Sequence, residues 1–243
     1  VIMECFYNIV EPKKVIFNQE NEWYLESLQK LVNPIIKLTN KFVNLTSQYV
    51  FLNSFSGISD MIKFLAVVGS DLFHFYLEKL IFTPFSHFLL YVAEEAMKLF
   101  VFLTENNFAS PEEINTFCEI TSNVIDGIVA GSLLPSLNEH VFRFLTLITR
   151  IIPDFAQRYI EFGAQVFVES GTDLNKFNPR WSSGSFLLTC FNLELVPFEA
   201  IGGILPEILS IFPCIDRSSS LYFWNEIKVF MEKYGQNAPQ ELV

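Results

Sequence analysis

Histidine, cysteine and basic side chains are scarce in this 243-residue chain, and each shortage closes off a kind of chemistry. The four cysteines, Cys5, Cys118, Cys190 and Cys214, stand far apart with no C-x-x-C spacing, so they read as structural thiols of a reducing compartment. Of the three histidines, His74, His87 and His140, none has a partner at zinc-ligand spacing. Glu139-His140 reverses the order of an HExxH motif, and the residue four places after His140 is Phe144. Lys and Arg number 16 against 27 Asp and Glu, a net charge of −11. Binding to phosphate backbones needs clustered cations, so nucleic acid is excluded as a direct partner. An acidic surface attracts basic partners instead, at a rate that falls with added salt.

Long apolar runs are also missing, although 51% of the residues are hydrophobic and the mean hydropathy is +0.33. A spanning helix needs about 20 predominantly apolar residues. Phe42–Ser59 is rich in Asn, Thr, Ser and Gln, Leu80–Ala93 is followed at once by Glu94 and Glu95, and Trp181–Phe212 is broken by Glu194, Glu199 and Glu207. No membrane span is expected, and the apolar excess points to helices buried on two sides. The 27 Phe, set on helical stripes where Leu is the usual choice, fill the spaces between such helices.

The stretch from Ser110 to Gly131 carries a full set of helix signals. Ser110 caps, Pro111 fits the first helical position, and Glu113 closes a capping box. Ile114, Phe117, Cys118, Thr121, Val124, Ile125, Ile128 and Val129 then form one apolar stripe, and Gly131 ends the helix. Similar patterns flank it. One helix is expected before Pro34 and another from Pro34 to about Tyr49, with a loop at Asn53–Gly57 and a short helix carrying Ile58, Met61, Ile62, Leu65 and Val68. Gly69 separates this from a helix with Leu72, Phe73, Tyr76 and Leu80; Thr83-Pro84 opens a longer one that Asn106-Asn107 closes.

After Gly131, Ser136 and Glu139 offer a second capping box ahead of Leu137, Val141, Phe144, Leu145, Ile148 and Ile152. Pro153-Asp154 interrupts, and a further helix with Phe155, Tyr159, Phe162, Val166 and Phe167 runs to Gly171. Thr172–Gly184 reads as the longest polar loop, with Trp181 exposed, and is the best candidate for a functional loop. Helices from about Ser185 to Leu195, Pro197 to Phe212 and Ser218 to Tyr234 complete the chain. No strand alternation is sustained.

Nothing here assigns a catalytic, cofactor-binding or metal-ligating residue, and no cofactor is expected. Glu94-Glu95 and Glu112-Glu113 are helical neighbours that point in different directions. Gly202-Gly203 lacks the Lys-Ser or Lys-Thr of a phosphate loop. Gly127 and Gly163, inside helices, mark close helix approach.

Helix starts at Phe85, Ser136 and Ser185 recur at about 50 residues, near the period of HEAT and armadillo repeats. The expected class is an all-α solenoid of antiparallel helical hairpins, residues 1–243 forming one helical-repeat segment of a longer array. The Leu133–Ser170 hairpin resembles a HEAT unit, with Pro153-Asp154 near its turn, and Ile208–Gly235, with its Phe223-Trp224 pair after a short turn, is similar to repeats of the importin-β superfamily. Over roughly Phe85–Gly235 the chain thus resembles a karyopherin, importin or exportin. The resemblance implies a non-enzymatic nuclear transport receptor of cytoplasm and nucleus that wraps basic protein cargo and binds Ran-GTP. The alternatives are a helical-repeat scaffold of a coat, phosphatase or kinase complex, and an α-helical enzyme or lipid-handling protein, the last motivated by the Phe-rich interior and the Thr172–Gly184 segment.

Overall fold

A computed structural model describes residue 30 and residues 48–67, 72–78, 83–171, 177–197, 200, 202–211 and 217–234. Among these residues the chain is helix and turn without strand, so the all-α class holds. The helices expected on either side of Pro34 lie outside the described residues except for Lys30 of the first, which is helical, and the end of the second. The chain divides into two compact units, Val1–Ile120 and Thr121–Val243.

In the first unit α1 (Gln48–Val67) packs against α2 (Leu72–Leu77) and α3 (Thr83–Glu105). The loop expected at Asn53–Gly57 is instead part of α1. A helical glycine costs about 1 kcal/mol, less than burying even one of Ile58, Met61, Ile62 or Leu65 returns at about 1.5–3 kcal/mol each, so packing overrides the local turn chemistry. On α3, Ala96, Leu99, Phe100 and Leu103 are fully buried, while Lys98 bonds Glu94 (2.6 Å) and Glu95 (3.0 Å) on the outer side. Burial works to lower the Lys98 pKa, but the bonds to both carboxylates prevail and raise it. Asn107, with φ 55°, closes the helix as its sequence suggests.

The capping box forms at the start of α4 (Pro111–Val129). Ser110 N–H donates to Glu113 Oε2 (2.8 Å), and Glu113 N–H donates to Ser110 Oγ (3.2 Å). The other oxygen of Glu113 accepts from His74 Nδ1 on α2 at 2.7 Å, so one carboxylate both starts α4 and ties it to α2. Phe117 stacks on Phe100 of α3 with ring centroids 4.1 Å apart. Val129, expected on the buried stripe, is 70% exposed at the helix end. Gly131, φ 71°, stops the helix, and Ser132 and Leu133 donate their N–H groups to Gly127 O. Gly127 makes room for the Leu133 side chain of this returning turn, not for a neighbouring helix.

The second unit continues through α5 (Asn138–Ile148), α6 (Pro153–Gln157), α7 (Ile160–Ser170), α8 (Phe177–Asn192), α9 (Leu205–Ile211) and α10 (Arg217–Tyr234). The capping box expected at Ser136 does not form: Pro135–Leu137 is a 3-10 turn, and α5 starts after Leu137 with no side-chain cap. Valine, phenylalanine, leucine and isoleucine at 141, 144, 145 and 148 are buried as the stripe requires. The helix expected over Pro197–Phe212 is interrupted: Ala200 is helical, Gly202–Ile204 is a turn, and α9 begins at Leu205.

The largest departure from expectation is α8. The segment Phe177–Gly184, read as loop, is helix, and Trp181 is 4% exposed. Every residue from Trp181 to Asn192 is buried, because α5, α7, α9 and α10 all pack against this one helix. Three of its hydroxyls are satisfied internally: Ser182 donates to Asn178 O (2.9 Å), Ser183 to Pro179 O (2.8 Å) and Thr189 to Ser185 O (2.9 Å). A serine that returns its proton to the carbonyl one turn back needs no water, so a Trp-Ser-Ser-Gly-Ser run can lie in a core. Helix starts at Thr83, Asn138 and Phe177 are accordingly unevenly spaced.

Two glycines let α7 approach α8. A Cβ on Gly163 of α7 would lie 3.0 Å from the Phe186 ring of α8, and one on Gly184 of α8 would lie 3.2 Å from the Phe167 ring of α7. Each helix thus seats its neighbour's phenylalanine on a bare backbone. Arg180 closes the far end by donating to Gly171 O and to Glu207 (3.0 Å), its guanidinium 5.0 Å from the Phe167 ring centroid.

Replacing Gly163 with Ala should lower stability by about 1–3 kcal/mol, since the Phe186 ring is buried against Phe142 and cannot yield. Gly57→Ala in α1, where nothing lies within 4 Å, should raise stability by about 1 kcal/mol. Urea midpoints of the two variants moving in the same direction would refute this account of the glycines.

Candidate protein-binding face

The last helix, α10, offers the clearest division between an anchored side and a presented side. Phe223, Glu226 and Phe230 lie at three- and four-residue steps and are all buried, Glu226 at 3% exposure. Phe230 meets Phe191 of α8 with centroids 5.9 Å apart. A carboxylate at that depth needs partners from more than one element. Arg150, just past the end of α5, pairs with Glu226 Oε1, and Asn192 of α8 donates through Nδ2 to Glu226 Oε2 (3.0 Å) and to Glu226 O (2.8 Å). The buried Asn192 Oδ1 accepts no hydrogen bond among the described residues.

A second tie lies about two turns further along. Lys233 donates to Asn192 O (3.0 Å), capping the carbonyl end of α8, and to Glu194 Oε1 (2.6 Å). That bond holds the Glu194 carboxyl below the usual carboxylate range. Glu194 itself has φ 60°, the left-handed turn that ends α8. Beneath these contacts the Cys190 thiol is pushed up to about 12, first by burial and further by the Glu226 charge, so it stays protonated and unreactive. Cys118, also buried, is raised to about 12 for the same first reason.

The opposite side of α10 carries Trp224 (51% exposed), Lys228, Val229 and Met231 (56% exposed). Residues 224, 228 and 231 follow one another along a single helical row, and Lys228 is steadied by Glu232 at 3.7 Å. Its chemistry makes this row the candidate face. Tryptophan and methionine are enriched where proteins meet, Lys228 and Glu232 suit a polar rim, and none of these groups is poised to activate a nucleophile or hold a metal.

Neither His74 nor His140 makes a site: His74 is committed to Glu113, and His140 is half-buried on α5, while the side chain of His87 lies outside the described residues. Among the described residues no group of three or more His, Cys, Asp or Glu could hold a metal ion, and no helix is long and apolar enough to cross a membrane. The link between Arg150 and Glu226 was missed by sequence reasoning. The available signal was Glu226 itself, a carboxylate in phase with Phe223 and Phe230 on an apolar stripe.

Arg150 is half-exposed and can return to water, whereas Glu226 cannot. Arg150→Ala should therefore cost about 3 kcal/mol by stranding a buried carboxylate, and Glu226→Gln, which keeps shape and acceptor, only about 1 kcal/mol. Equal shifts in urea midpoint would contradict the asymmetry. Compared with known proteins, the chain finds no match among family models, curated proteins or solved structures.

Proposed function

We propose that the chain is a protein-binding segment of an α-helical repeat array, a solenoid of hairpins belonging to a nuclear transport receptor that takes basic protein cargo and answers to Ran-GTP in cytoplasm and nucleus. The observation that carries this reading is the presented row of α10, where Trp224 and Met231 stand out from a helix whose other side is fixed by Phe223, Glu226 and Phe230. A rigidly backed tryptophan is the kind of anchor on which a protein interface concentrates its binding energy.

Charge supports the choice of partner. The net charge is −11, and α4 carries Glu112, Glu119 and Asp126 outward at seven-residue steps with no basic residue of its own. Such a field steers a basic protein before any contact forms. The Leu133–Ser170 hairpin and the Phe223-Trp224 pair are what make the partner system that of a karyopherin. The reading as an enzyme or lipid-handling protein keeps the Phe-rich interior but loses one of its two motives, because Phe177–Gly184 is helix, buried from Trp181 onward, and not a polar loop.

Titrating the intact chain with Ran loaded with GTP or GDP, and separately with a Lys/Arg-rich import peptide, tests the reading. Ran-GTP should bind at least ten times tighter than Ran-GDP, and Trp224→Ala should weaken a protein contact by about 2 kcal/mol or more. Binding indifferent to nucleotide would move the chain to the scaffold class. Binding of neither Ran nor peptide would end the transport reading.

A further inference from the structure

Helix α10 carries two stripes of the same form. Phe223, Glu226 and Phe230 stand at positions i, i+3 and i+7 and are buried; Trp224, Ile227 and Met231 repeat that spacing one residue later, with Trp224 and Met231 more than half exposed. One residue is about 100° of helix, so a roll of α10 by that angle about its own axis would exchange the two stripes. Apolar burial alone favours the exchange: the outward stripe is wholly apolar, whereas the inward one holds a carboxylate stripped of its water. The helix is nevertheless seated the other way.

Polar contacts decide between the two settings. Arg150 and Asn192 both address Glu226, the amide of Asn192 through the carboxylate (3.0 Å) and the backbone carbonyl (2.8 Å). Lys233, about two turns on in the same phase, holds Asn192 O (3.0 Å) and Glu194 (2.6 Å). A roll would break all of them. Stability alone would not select this cluster, since Asn192 Oδ1 is buried without a donor among the described residues, and apolar side chains of like volume often replace a buried ion pair at no loss. We infer that Arg150, Asn192 and Glu226 are positioning residues, a rotational lock that keeps Trp224, Ile227 and Met231 turned toward a partner. The purpose of the lock rests on the reading of this side as a protein-binding face; the lock itself is measured with no partner present.

Fluorine NMR of the full chain labelled with fluorotryptophan tests the inference, the Trp224 signal being identified by its loss in Trp224→Phe. In the wild-type chain and in Arg150→Lys, which keeps a cation for Glu226, that signal should be single and should move on exchange of light for heavy water, as a half-exposed indole requires. In Arg150→Met/Asn192→Leu the stranded carboxylate should roll out to water and carry Trp224 inward, so the signal should shift and lose most of its response to the solvent. A Trp224 signal that stays single and solvent-sensitive in this variant overturns the lock. Should the pair not fold, Arg150→Ala/Asn192→Ala is read in the same way. Because neither Ran nor peptide enters the measurement, a failed lock leaves the binding reading intact, and failed binding leaves the lock intact.

Discussion

Burial of one helix on every side governs the second unit. Helix α8 (Phe177–Asn192) sits among α5, α7, α9 and α10, and from Trp181 onward it has no side to give to water. Two conditions make that possible. The hydroxyls of Ser182, Ser183 and Thr189 are returned to carbonyls of their own helix, which removes the desolvation penalty of burying them. Gly184 and, facing it, Gly163 give up their side chains so that Phe167 and Phe186 can cross between helices. The residues that make the segment look like a loop are the ones that let it be a core.

From that axis the rest of the unit takes its positions. The carbonyl end of α8 is capped by Lys233, and Asn192 in its last turn holds the backbone and carboxylate of Glu226. Those ties fix the rotation of α10, and with Phe223 and Phe230 turned inward the helix has no choice but to present Trp224 and Met231. Sequence, local periodicity, packing and the presented surface are thus links of one chain of cause. In the first unit a single carboxylate has a comparable part: Glu113 closes the capping box of α4 while holding His74 of α2.

What could be read from the sequence follows the strength of the local signal. The α4 start at Ser110-Pro111 with Glu113, its stop at Gly131 and the closure of α3 at Asn107 all rest on backbone requirements that a few residues satisfy by themselves, and all were legible. Ser136 and Glu139 carry the same letters, yet the preceding Pro135 leads into a 3-10 turn and the box is not made. Asn53–Gly57 and Phe177–Gly184 were misread because turn-favouring composition is a weak preference that tertiary burial overrides. The Arg150–Glu226 pair joins residues 76 positions apart, and no window along the chain could reveal it. Only the misplaced polarity of Glu226 hinted at a partner.

The second unit depends on α8 being an interior helix. Residue-resolved hydrogen exchange on the intact chain measures it directly, because amides of a helix with no exposed side open only with the unit as a whole. The amides of residues 181–192 should be the slowest to exchange in the second unit, slower than those of α10. Exchange through residues 181–184 as fast as in the exposed turn at Arg150–Ile151 would mean that the segment is a surface loop, and the seating of α10 derived from it would be wrong.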